Sequence, residues 1–93
     1  MPNKGDRIAA LHIMALLEEN KGEAMRFSNI DKTMRNRGWH HNHTTVSDNL
    51  KFLIEQGNIV QTHFRYGIPT QRKNGTRYLI IKTPGIKDEI VEL

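Results

Sequence analysis

Cysteine is absent from all 93 residues. That excludes disulfides and thiolate metal sites, and it leaves the redox compartment open. Long hydrophobic runs are missing too. The longest apolar-rich stretch, IAALHIMALL, is interrupted by His12 and is too short to span a bilayer. It has no cleavage-site pattern, so neither a transmembrane helix nor a signal peptide is read, and the expected location is cytoplasmic. Aromatics make up 6% of the chain, and Trp39 is the single tryptophan. Internal repeats, low-complexity tracts and interdomain linkers are all absent. What is left is one domain, residues 1–93, with a modest core that a partner subunit would help to stabilise.

Acid is scarce where base is plentiful. The net charge is +4. From Lys32 to Ser47 there are three basic residues (Lys32, Arg35, Arg37), three histidines and no acid. From Gln56 to Lys87 there are six basic residues and again no acid. Only Asp48 and Glu55 interrupt the stretch from 32 to 87. A basic field gathered on one part of a small domain is the footprint of a polyanion site; the plainer alternative is a solvated basic surface.

The periodicity predicts three helices. Helix 1 covers about Asp6–Asn20, capped by Asp6 and stopped at Lys21-Gly22, after a loose end at 1–5. It is apolar on nearly every side, so it should bury more than one face, the second against a dimer partner; the plainer alternative is a helix central to its own core. Glu23–Arg26 reads as a short strand. Helix 2 covers Asn29 to about Asn36, capped by Ser28 with Asp31 completing a capping box; Ile30 and Met34 point inward, and Gly38 ends it. Trp39 anchors the following turn against the core. Helix 3 spans about Thr44–Gln56, capped by a threonine or His43. Val46, Leu50, Leu53, Ile54 and Gly57 lie on its core side, and Thr44, Asp48 and Glu55 lie opposite. Ser47 and Lys51 line one flank and Asn49 the other. Phe52 points away from the core, to be covered by the hairpin or a partner.

After Gly57 the pattern changes to period two. A strand over Ile59–Tyr66 pairs with one over about Thr76–Thr83, joined by the basic loop GIPTQRKNG with a tight turn at Asn74-Gly75. Pro84-Gly85 breaks the chain, and residues 86–93 can form a short helix with Ile86, Ile90 and Leu93 on one face.

These segments carry a resemblance. MRFSNI opening helix 2, TTVSDNLKFLIEQGNIV running from helix 3 into the first strand, and RYLIIKTPG closing the hairpin resemble the winged helix-turn-helix regulators of the MarR and ArsR types. The match covers about two thirds of the chain, from about Met25 to Gly85. The resemblance implies an α+β winged helix-turn-helix: three helices, a two- or three-stranded hairpin wing and a short C-terminal helix. It also implies a homodimeric regulator of transcription. The histidine-rich turn RNRGWHHNH is longer than usual in that family, Asp48 stands where a basic or neutral polar residue is common, and the cysteine pair of the metal-sensing members is missing. Metal and inducer sensing therefore do not carry over.

The function expected is sequence-specific binding of double-stranded DNA. Helix 3 would enter the major groove with His43, Thr44, Thr45, Ser47, Asp48, Asn49 and Lys51 at phosphates or base edges. Arg65, Arg72, Lys73 and Arg77 of the wing would hold backbone or minor groove. Dimerisation would use Leu11, Met14, Leu17, Ile90 and their neighbours. The alternatives are a protein-interaction module within a nucleic-acid machine and a non-specific architectural DNA binder. His40, His41 and His43 lack an evident fourth ligand, so no metal site is expected. With no nucleophile motif and no glycine-rich phosphate loop, neither catalysis nor a cofactor is expected.

Overall fold

The computed structural model describes residues 6–93, with side chains from Arg7 onward. The chain is α+β, with three helices and two three-stranded sheets. In order the elements are α1 (Asp6–Glu19), β1 (Met25–Arg26), α2 (Phe27–Asn36), α3 (His43–Glu55), β2 (Val60–Thr62), β3 (Arg65–Gly67), β4 (Thr70–Gln71), β5 (Arg77–Ile81) and β6 (Glu89–Glu92). The loose end read at 1–5 and the cap read for the Asp6 side chain lie outside the described residues.

Apolar spacing builds the core. Ile13, Leu16 and Leu17 of α1 meet Ile30 and Met34 of α2, Val46, Leu50 and Leu53 of α3, and Ile59. Burying each such side chain contributes about 1.5–3 kcal/mol. Leu17 is fully buried here, so it belongs to the chain's own core and cannot meet a partner as expected. Phe52 also differs from expectation. It packs against the core cluster, with the Arg7 guanidinium 4.5 Å from its ring centroid, so α1 rather than the hairpin covers it in part, and it stays half-buried at the edge of a groove with Leu11 and Met14.

α2 begins two residues before the expected start. Arg26 is its N-cap, with no side-chain cap, and Ser28 lies inside the first turn, so no Ser28–Asp31 capping box forms. The cause is β1, which runs straight into the helix and holds Arg26 extended by pairing it with Arg65. Asp31 instead takes Arg35 Nε at 3.0 Å and His43 Nε2 at 3.2 Å. The helix closes as expected at Gly38, whose φ of +84° only glycine adopts freely. Trp39 N–H then donates to Met34 O at 2.9 Å.

The strands depart furthest from the sequence reading. Residues 59–66 are not one strand. They fold back at His63-Phe64, so that β2 pairs with β3 (Gln61 opposite Tyr66, Thr62 opposite Arg65). β1 adds to the other side of β3, giving the order β1-β3-β2. The Asn74-Gly75 turn does form, but it joins β4 to β5: Arg72 N–H donates to Thr76 O at 2.8 Å, and Gly75 has φ +92°. The expected C-terminal helix is instead β6, antiparallel to β5 from Tyr78 opposite Glu92 to Ile81 opposite Glu89. Eight residues after Pro84-Gly85 are too few for a stable lone helix, and the open edge of β5 offers backbone partners.

The two sheets share no strand. They are joined through the segment after α1, where Gly22 N–H donates to Ile68 O at 2.8 Å and Ile80 N–H donates to Gly22 O at 2.7 Å. Gly67 sits at this joint. A Cβ there would stand 2.5 Å from Glu23 O and 2.9 Å from Leu79 Cδ2.

Candidate nucleic-acid interface

α3 is capped by Asn42, not by a threonine or His43: Asn42 Oδ1 accepts from Thr45 N–H at 2.7 Å. This frees the hydroxyls of Thr44 and Thr45 from capping. Thr44, Asp48 and Lys51 are exposed, and Thr45 and Ser47 are half-buried. Asn49 is fully buried, which removes it from the DNA-contacting set. On the helix wheel it falls between Leu53 and the half-buried Phe52, and its Nδ2 donates to Thr45 O at 2.8 Å while its Oδ1 is buried without a partner. The outward face of α3 thus carries two carboxylates, Asp48 and Glu55, around the single cation Lys51.

His43 is 68% exposed in its side chain yet is held at both ends of its ring. Nε2 meets Asp31, and the ring stands edge-on to Phe27 with centroids 5.8 Å apart. Phe27 in turn lines a cleft of about 420 Å³ with Arg26, Ser28, His63, Phe64 and Arg65. A second cleft of about 320 Å³ shares Arg26, Ser28 and Arg65 and adds Asn29 and Lys82. Together they form a groove across the start of α2. The beginning of α3 therefore lies beside a basic groove that ends at the β2–β3 hairpin tip.

Register makes this groove cationic. Arg26 and Arg65 are direct partners across β1 and β3. Among the described residues neither is in an ion pair. Arg65 Nη1 donates only to His63 O, at 3.2 Å. Lys82 bonds to Glu23 at 2.6 Å, and that hydrogen bond, with the carboxylate's charge, raises its pKa. The uncapped N–H groups at the start of α2 add partial positive charge to the same place.

Arg72, Lys73 and Arg77 do not belong to this groove, contrary to the sequence reading of one basic wing. They sit where β5 begins, whereas Lys82 follows its end. Five residues at about 3.3 Å each separate the two places by roughly 13–16 Å. Arg72 is further engaged, over the Tyr78 ring at 5.0 Å and 3.7 Å from Glu92. The sequence reading missed Arg26, Ser28, Phe64 and Lys82 as site residues. Lys82 was visible only as charge in the basic run and Arg26 only through the strand read at 23–26, whose partner was unknown; Ser28 and Phe64 carried no signal.

His12 and His41 serve packing. His12 stacks on Trp39 with centroids 4.3 Å apart, and its Nδ1 lies 2.9 Å from His41 Nε2. Burial, and then the neighbouring His41, lower its pKa below the usual histidine value. Among the described residues, no group of three or more His, Asp or Glu side chains is arranged to hold a metal ion. No described helix is long and apolar enough to cross a membrane. No protein-family model, no curated protein and no solved structure matches this chain.

Proposed function

We propose that the chain is a winged helix-turn-helix that binds duplex DNA and regulates transcription from the cytoplasm. The observation that carries this is the groove. α2 and α3 form a helix–turn–helix that runs directly into the β2–β3 hairpin, and the pairing of β1 with β3 sets Arg26 and Arg65 side by side between helix and hairpin. In such a unit the second helix enters the major groove while flanking elements hold the backbone. Thr44, Thr45, Ser47 and Asp48 then read base edges, with Asp48 accepting from cytosine. Arg26 and Arg65, which are in no ion pair among the described residues, hold phosphates.

The test is selection from random duplex DNA, followed by binding of the winners at several salt concentrations. Each phosphate contact contributes about −0.9 to the slope of log affinity against log salt. Arg26→Ala and Arg65→Ala should each flatten that slope by about one and weaken all sequences alike. Thr45→Ala should instead change which sequences are preferred. A protein that retains no duplex at low salt refutes the reading.

A homodimer is part of the same proposal, in corrected form. Ile8 and Leu11 are 52% and 69% exposed, and Leu11 and Met14 line an apolar groove of about 330 Å³ beside Phe52. This stripe, with exposed Ile90, replaces the set that included Leu17. A dimer of this kind predicts half-sites about one helical turn apart. Leu11→Lys should leave a monomer in light scattering.

One observation favours a second reading. Asp48 and Glu55 weaken the field over α3, which suits a protein-interaction module whose DNA contact comes only from the groove. That module would bind DNA without sequence preference, and selection would return no motif.

A further inference from the structure

We propose that Phe64 is a wedge that enters a base step from the minor groove and kinks the duplex, with Arg26 and Arg65 holding the flanking phosphates. This rests on the duplex-DNA reading above and adds a mode of recognition to it.

Phe64 is 89% exposed. It occupies the second position of a two-residue hairpin turn, with φ 60° after His63 at φ 49°. Left-handed backbone at both positions is the province of Asn and Gly. A large aromatic there suits neither the turn nor the solvent, so folding does not account for it. Strain of this kind persists where surrounding structure enforces it, commonly at binding sites.

Its surroundings point to the ligand. The ring lines the cleft that holds Arg26, Arg65, His63 and Ser28. Two arginines in direct cross-strand register repel each other unless an anion lies between them. A phosphate backbone supplies that anion, and the base step beside it supplies the apolar slot. Proteins of this kind insert an apolar side chain between bases, partly unstack them and bend the duplex. Beyond the last paired rung of the hairpin, Thr62 opposite Arg65, only the two-residue turn projects, so the ring and not the sheet has to enter a minor groove about 6 Å wide. The short turn fixes the ring relative to both arginines.

The experiment pairs anisotropy with energy transfer between dyes at the two ends of a duplex of about 30 base pairs carrying a central flexible TA step. The wild type should bind and bring the ends closer. Phe64→Ala should bind about tenfold or more weakly and leave the DNA straight. Phe64→Leu should keep the bend, because a wedge needs an apolar body and not a ring. Phe64→Gly, which suits the turn's backbone, guards against a folding artefact and should behave as Ala does. Wild-type binding to DNA that stays straight, or equal bending by Phe64→Ala, overturns the wedge and leaves the duplex reading intact. Preference for single strands over duplex overturns the wedge in favour of base stacking. Absence of duplex binding overturns both.

Discussion

Replacing His63-Phe64 with Asn-Gly should stabilise the protein. Both residues lie in left-handed backbone, at φ 49° and 60°. That region costs a non-glycine L-residue roughly 1–2 kcal/mol. Histidine is among the residues better tolerated there, so His63→Asn relieves only a few tenths of that at the low end. Phe64→Gly relieves most of it, but glycine returns about 0.5–1 kcal/mol through its greater freedom in the unfolded chain. No burial is lost, since Phe64 is almost wholly exposed. The backbone carbonyl that Arg65 uses is kept as well. The net gain is about 1 kcal/mol, with a ceiling near 2. In a domain this size each kcal/mol raises Tm by about 4–8 °C. Urea and thermal unfolding by far-ultraviolet circular dichroism would measure it. A Tm that stays level or falls refutes the argument, because the strain would then be absent or repaid by contacts of the ring. The double variant should also lose DNA bending, so stability and binding would move in opposite directions.

Three further outcomes follow from single contacts. Gly67→Ala should cost about 1–3 kcal/mol in chemical denaturation, because its methyl meets the Glu23 carbonyl and a Leu79 methyl. Asn42→Ala should cost about 0.5–2 kcal/mol, and Thr44→Ala and His43→Ala less, since Asn42 is the residue that caps α3. His12 has its pKa lowered, so the unfolded chain takes up its proton first as pH falls. Its contribution to stability is complete above about 6.5 and declines as pH drops from there toward the folded value, a decline that His12→Phe should remove from the urea midpoint followed by Trp39 fluorescence.

The helices were legible because their signals are local. Ile30 and Met34, and Val46, Leu50 and Leu53, repeat at helical spacing, and Gly38 and Gly57 stand where those runs end. The exception on α3 is Asn49, a polar residue that folds its amide onto its own helix. The first hairpin was hidden because His63-Phe64 carries no turn chemistry and its arms are only three residues each, too short for the change of phase across the turn to show. Asn74-Gly75 then drew the hairpin to itself. Over eight C-terminal residues the two periods could not be told apart, and the edge of β5 decided between them. At the site, Arg65 was visible as charge within a basic run. Arg26 joins it only through a pairing across about forty residues of chain, and Arg72, Lys73 and Arg77 share the run while lying at the other end of β5.

The joint at Gly22 has a consequence for how the chain is made. Every element of the helix trio and of the sheet β1-β3-β2 is complete once Gly67 has been synthesised. Gly22 and Ala24, by contrast, wait for Ile80, nearly sixty residues downstream. Leu79 and Ile81 are the buried residues of that second sheet's central strand and stand apart from the main core cluster. A nascent chain can therefore set Arg26 beside Arg65 first and fasten the β4-β5-β6 sheet, which brings Lys82 to the groove, afterwards, like a clasp shut over a finished hinge.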